Sequence, residues 1–237
     1  MKGRIVSSSQ RRAEIMIATL FVATGLASIA GVFILNPILN PSNYLGLVFP
    51  NKSMVELGSL LWMVNNIGVV FIGVFAFPIL RRLDEALATG YLASRIMSGV
   101  FLTSGTVATL LLIPLSQQFL NAGSPQGSSF QSYADILKQA TFLGQTQLDI
   151  LMLGIGGSIF TWMLVRYRLI QRYIALLGLI GYLIVFIGSI LGWFELVNTA
   201  PGGNATFFAL PAAVFEIVAL PAWLFIRGFK MPEAPEP

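Results

Sequence analysis

Residues 86–115 read ALATGYLASRIMSGVFLTSGTVATLLLIPL. The run exceeds the ~20 residues that carry a helix across a bilayer, yet Arg95 stands inside it. A guanidinium keeps its charge, and holding it at membrane depth costs several kcal/mol unless a partner, water or snorkelling relieves it. The chain is therefore expected to supply an anion at the same depth. Glu216, inside the last apolar run 206–229, is the candidate.

Composition places the rest of the chain in the same solvent. Hydrophobic residues make up 56%, charged residues 10%, and the mean hydropathy is +0.80. Soluble domains carry about 25% charged residues. The 237 residues suffice for about six spans of ~20 residues, with no room for a soluble domain. The net charge of +4 comes from basic residues lying between apolar runs, where they set topology. Nucleic acid is accordingly excluded as a partner. The lipid bilayer is the partner expected, with a membrane protein or a second copy of the chain left open.

Cysteine and histidine are both absent, which removes disulfides, thiolate chemistry, His/Cys zinc sites and histidine-ligated haem. The usual general base near neutral pH goes with them. No Gly-rich phosphate loop, Gly-x-Ser-x-Gly elbow or zinc motif is present, and no spacing singles out a pair of acids for a metal. No cofactor, metal site or catalytic residue is expected, and enzyme activity has no positive support.

Outward from the third span, the chain divides readily. A basic lead, residues 1–13, precedes a first span over 14–35, ending before Asn36-Pro37. A basic start followed by Leu26-Ala27-Ser28-Ile29-Ala30 also fits a cleavable signal peptide; the apolar run to Leu35 is longer than a typical signal core and favours an uncleaved helix. Residues 36–53, rich in Asn and Pro, read as a loop. The second span covers 55–80 and the third 86–115, followed by a polar loop over 116–131. Ser132-x-x-Asp135 resembles a capping box. Behind it Tyr133, Ile136, Leu137, Ala140 and Leu143 recur at helical spacing, as in a short amphipathic interfacial helix. The fourth, fifth and sixth spans cover 146–165, 173–196 and 206–226. Residues 1–230 form one transmembrane domain, and the Pro/Glu tail 231–237 is expected to be disordered. The cytoplasmic hairpins 82–92 and 172–183 are too weakly alike to establish a repeat.

Lysine and arginine fall unevenly between the two faces that this layout creates. Eleven (Lys2, Arg4, Arg11, Arg12, Arg81, Arg82, Arg166, Arg168, Arg172, Arg227, Lys230) lie on one side; only Lys52 and Lys138 lie on the other. The bias puts both termini in the cytoplasm.

At 1.5 Å per residue, Arg95 lies ~13 Å and Glu216 ~15 Å from the same membrane boundary. Each charge shares a face with small or polar residues: Tyr91, Ser98, Gly99, Thr106 and Thr109 around the first, Ala209, Ala212, Ala213 and Ala219 around the second. Such faces pack on neighbouring helices, so a buried ion pair is expected. It is either a binding or gating site or a latch fixing the helix arrangement.

Nearer the opposite side, Glu56, Asn65, Asn66, Gln145, Gln147, Asp149 and Glu195 are candidates for a polar cavity open outward. The plainer alternative leaves Glu56 and Glu195 in the wet headgroup zone and makes Asn65 and Asn66 interhelical glue. Asp149 lies deeper, where a lone charge is uncomfortable. Gly188-x-x-x-Gly192, Gly181 and the cluster Gly154, Gly156, Gly157 permit close helix contacts within the chain. Pro211 and Pro221 bracket Glu216 and should bend the last span.

Three stretches carry a resemblance. Pro78-Ile-Leu-Arg81-Arg82 leads to Leu87-Ala88-x-Gly90-Tyr91 and Arg95. Tyr167-Arg168-Leu169-Ile170-x-Arg172 runs into Leu177-Gly178-Leu179-Ile180-Gly181. Leu210-Pro211 and Phe215-Glu216 precede Trp223-Leu224 and Arg227-Gly228-Phe229. In order and spacing they resemble a family of bacterial six-helix membrane proteins known only as domain of unknown function forty-three eighty-six. The resemblance implies the same fold and topology and no established activity. It also implies an acid three residues after the arginine, where this chain has Ser98, and a proline where it has Gln171.

The chain thus reads as an all-α, six-span integral protein of a bacterial inner membrane. Its leading functional reading is a non-catalytic accessory subunit or a sensor-like binding component. The second is a small-solute transporter or carrier using Arg95, Glu216 and Asp149. The third is an intramembrane enzyme acting on lipid or isoprenoid groups.

Overall fold

The computed structural model describes residues 8–123, 129–198 and 205–231. Nine α-helices occur among them: α1 (Ser8–Leu39), α2 (Tyr44–Val48), α3 (Lys52–Leu80), α4 (Glu85–Asn121), α5 (Ser129–Phe142), α6 (Asp149–Arg166), α7 (Arg172–Trp193), α8 (Ala205–Val214) and α9 (Leu220–Ile226). Two π-helical segments, Leu143–Leu148 and Phe215–Ala219, join α5 to α6 and α8 to α9. Six helices are long and apolar enough to cross a membrane. Their outward side chains include Phe33, Leu60, Val100 and Ile187, all exposed on the protein alone, as lipid-facing positions must be. The protein is an all-helical, multi-pass membrane bundle.

Each span packs on its successor in a ring. α1 lies on α3, α3 on α4, α4 on α6, α6 on α7 and α7 on α8. The ring closes where α9 and the second π segment return to α1, whereas α8 packs chiefly on α7. The first and last spans therefore meet near the side bearing Ser8 and Met231, called here the termini side, and part toward the opposite side. Gly25 and Ile217 mark the crossing, since a Cβ on Gly25 would meet the Ile217 side chain at 3.1 Å.

The closure is stitched by charge. Arg11 donates from Nη1 to Leu224 O (2.6 Å) and from Nη2 to Phe225 O (2.5 Å), satisfying carbonyls that the end of α9 leaves without helical partners. Glu14, 1% exposed, accepts the Phe229 backbone N–H at 3.1 Å. Gly228 turns the chain between them at φ +68°, where a Cβ would also strike Glu14 Oε2 at 2.3 Å.

Several boundaries differ from those read in the sequence. α1 continues through Pro37 to Leu39 rather than ending at Leu35. Ile38 and Leu39 are buried in a cluster with Tyr44, Leu45 and Trp62, and that packing outweighs the one donor proline removes. The loop 36–53 contains α2, whose Tyr44, Leu45 and Val48 join the same cluster. The polar loop expected from 116 begins later, because α4 extends to Asn121. There Ser116 donates to Leu45 O (2.5 Å) and accepts from Phe49 N (2.9 Å). Its polarity serves an interhelical contact.

Ser132-x-x-Asp135 does not cap a helix, since α5 already begins at Ser129. Asp135 instead accepts from Tyr44 Oη (2.7 Å) and Gln131 Nε2 (3.1 Å). Burial, then the hydrogen bond and charge of Asp135, push the Tyr44 phenol pKa upward and keep it a donor. The amphipathic stretch is helical and runs into the fourth span as one 38-residue helix, Ser129–Arg166. Ala134 is buried while Tyr133 and Ile136 are exposed. The fifth span ends at Trp193, short of Leu196. Lys2, Arg4, residues 124–128 and the tail 232–237 lie outside the described residues.

Candidate functional site

α4 carries Arg95 into the bundle, where it is 2% exposed. Gly73 on α3 makes room for it, because a Cβ there would stand 3.0 Å from Arg95 Cβ. Arg95 Nη2 lies 3.2 Å from Glu216 Oε1, and Nε donates to Tyr91 Oη at 3.1 Å. The guanidinium also faces the rings of Tyr91 and Phe21, with centroids at 5.3 and 5.6 Å. Two of its five N–H groups are thus engaged.

Glu216 sits in the π-helical segment between Pro211 and Pro221. Such segments shift the side chains that follow by inserting one residue into the helical ladder. Tyr182 of α7 donates to the same Oε1 that faces Arg95. Both bonds fall on one oxygen, and the Glu216 side chain keeps 21% of its surface open. Tyr182 reaches this position because Gly157 stands opposite it, where a Cβ would come within 2.2 Å of the ring.

One turn along α4, Ser98 donates to Asp149 Oδ1. The acid that the resemblance puts at position 98 is replaced by a hydroxyl, and a carboxylate reaches that hydroxyl from α6.

Of these groups Phe21, Arg95, Ser98, Asp149 and Glu216 line one end of a cavity of about 420 Å³. One wall is a stripe on α1: Phe21, Thr24, Gly25, Ser28, Ile29, Val32, Leu35, Asn36 and Leu39, which spans ~27 Å at 1.5 Å per residue. A second stripe comes from α5, the first π segment and α6: Lys138, Thr141, Phe142, Gln145, Thr146, Asp149 and Leu153. Trp62, Asn65 and Val69 of α3, Leu102 of α4, and Ala213 and Ile217 of the last span complete the lining. The cavity bears Arg95, Asp149 and Glu216 at the closed end and Lys138, Asn36 and Asn40 toward the far end; between them apolar Ile29, Val32, Val69 and Leu102 alternate with polar Ser28, Asn65, Thr141, Gln145 and Thr146.

The outer polar residues read from the sequence separate. Asn65, Gln145 and Asp149 line the cavity with Arg95 and Glu216, so the two candidate sites are one space. Asn66 does not line it. Its amide donates to Thr106 Oγ1 (3.0 Å), which also receives Gln145 Nε2 (2.7 Å), a buried bridge joining α3, α4 and the π segment. Glu56 is exposed and pairs with Lys52 at 3.6 Å. Glu195 is exposed just past α7 in a left-handed conformation, φ +59°. Neither Glu56, Glu195 nor Gln147 lines the cavity.

Tyr182 and Lys138 were not read as site residues. A phenol midway along the apolar run 173–196 is a signal, since a tyrosine hydroxyl buried in hydrocarbon needs a partner. Lys138, in the stretch before the fourth span, carries no comparable signal. Its ammonium stands 4.6 Å from the centroid of the Tyr44 ring, at the mouth of the cavity. Among the described residues no group of three or more acids could hold a metal ion.

The model of the family described as domain of unknown function (DUF4386) matches residues 16–228, and the chain belongs to that family. No curated protein and no solved structure matches it.

Proposed function

We propose that this DUF4386 member is a non-catalytic binding component of the membrane, whose cavity takes an amphiphilic small molecule from the surrounding lipid. The observation that carries this reading is the shape of the ring. α1 and the last span meet at Gly25 and Ile217, while beyond that point α8 packs chiefly on α7. The cavity is thus flanked by two helices that part toward the far side. A ligand entering there passes Lys138, Asn36 and Asn40, then the apolar side chains Ile29, Val32 and Leu35 of α1, and meets the polar group of Arg95, Asp149 and Glu216 last.

The charged end suits a ligand's polar head. A guanidinium with N–H groups to spare and the second oxygen of Glu216 offer both donors and acceptors in a low-dielectric site, where such bonds strengthen. The excess of lysine and arginine on the termini side supports placing both termini in the cytoplasm, and with them a bacterial inner-membrane location.

Mass spectrometry of small molecules extracted from the purified protein tests this. The reference is the Arg95→Met/Glu216→Met double variant, which removes both charges together. The reading requires an amphiphile bound near one per chain in the wild type and lost in the variant. Equal, non-stoichiometric lipid in both would refute it.

A second reading, a carrier, has one observation in its favour. The charged residues sit at the closed end of a space open toward one side, as a substrate site does in one state of alternating access. Solute flux in liposomes that disappears in Glu216→Gln would select it.

A further inference from the structure

A second pocket, of about 750 Å³, lies on the termini side and is separate from the cavity described above. Its lining contains four cations: Arg166 at the end of α6, Arg168 in the turn, Arg172 at the start of α7, and Lys230 after α9. Gln171 adds an amide, Leu164, Val165 and Ile170 supply apolar surface, and among the described residues no acid lines it. Among the described residues the ion pairs are Arg11–Glu14, Lys52–Glu56 and Arg95–Glu216; none engages these four.

The pocket is built from two distant segments. The Lys230 backbone N–H donates to Leu169 O at 2.7 Å, pinning the chain after α9 against the α6–α7 turn. Leu169, Ile170 and Phe229 are buried beneath it. Arg168 takes a left-handed conformation, φ +52°, uncommon for a residue with a side chain. All four cations are exposed, so water and salt screen their repulsion and leave them open to an anion. Since Arg166 ends one span and Arg172 begins the next, the hollow lies at headgroup level.

We propose that this pocket binds the headgroup of a membrane lipid carrying at least two phosphate charges. Basic pockets between spans recognise such headgroups, with each cation near the surface adding to the attraction. The arginines contribute bidentate phosphate geometry and Lys230 a point charge. Its position at the ends of two spans favours a lipid over a soluble anion.

The test is the thermal midpoint of the intact protein in zwitterionic micelles, doped in turn with a diphosphate-headgroup lipid, a neutral lipid of the same chains, or soluble pyrophosphate. The wild type should gain about 3 °C or more with the diphosphate lipid alone. Arg168→Gln/Lys230→Gln should lose that gain while keeping the undoped midpoint. Arg81→Gln/Arg82→Gln, with the same charge change on the same side but outside the pocket, should keep it. An equal loss in the Arg81/Arg82 variant would reduce the effect to general surface charge and overturn the proposal. So would an equal gain with the neutral lipid, or one with pyrophosphate at matched concentration. If the pocket variant has a lower undoped midpoint, single Arg168→Gln and Lys230→Gln variants decide: the gain must shrink in each for the proposal to stand.

Discussion

Arg95 Nη2 and Glu216 Oε1, 121 positions apart in sequence, stand 3.2 Å from each other inside the bundle. Tyr182 donates to that same oxygen. The carboxylate is thus held from two sides through one oxygen, and the other is left for the cavity.

Removing one charge should cost more than removing both. Glu216→Gln leaves a cation that is 2% exposed without an anion, and breaking a buried pair this way costs about 3–5 kcal/mol. The partly open Glu216 side chain places the expected loss near the lower figure. Arg95→Met/Glu216→Met should unfold close to the wild-type midpoint, because apolar replacement of both partners is often neutral or stabilising. Thermal unfolding of the single and double variants in detergent separates the two outcomes.

Exchanging the charges separates latch from ligand site. Arg95→Glu/Glu216→Arg should recover much of the stability lost by either single reversal, since the attraction survives inversion. Bound amphiphile, measured by mass spectrometry, should not return, because Asp149 and Tyr182 stay where they were. Recovery of both would make the pair a latch alone.

Thr106→Val should destabilise by about 1–3 kcal/mol. It strands the buried amide of Asn66, which donates to Thr106 Oγ1, and takes one of two acceptors from the partly buried Gln145, whose Nε2 keeps Leu102 O. Denaturant unfolding would register the loss, and Asn66→Leu added to Thr106→Val should recover part of it.

Two glycines on one helix should answer oppositely. A Cβ at Gly181 would stand 2.6 Å from the Ala212 backbone N, so Gly181→Ala forces α7 from α8 at about 1–3 kcal/mol. Gly188 meets nothing within 4 Å. There alanine should stabilise α7 by about 0.5–1 kcal/mol through helix propensity alone. Unfolding midpoints of the two variants test the contrast.

The six spans were legible because lipid leaves few alternatives. A backbone in hydrocarbon must satisfy its own hydrogen bonds, so apolar length suffices to recognise a span. Proline misled at Pro37, inside α1, because local breaking tendency gave way to tertiary packing. Arg95 and Glu216 stood out since an ionised group in an apolar run demands explanation. The gathering of Asn65, Gln145 and Asp149 with them depends on π-helical register and on how α1 and α8 part, neither of which leaves a periodic mark. The stitch of Arg11 and Glu14 to the end of α9 was equally hidden, being a contact between a basic lead and a carbonyl edge.

The most direct measurement is an experimental density map of the protein in a lipid nanodisc, resolved well enough to place side chains. It should show α1 and α8 apart beyond Gly25 and Ile217, with elongated non-protein density running from Glu216 toward Lys138. A map in which α1 and α8 pack along their length and the space between Arg95 and Lys138 is closed would contradict the account.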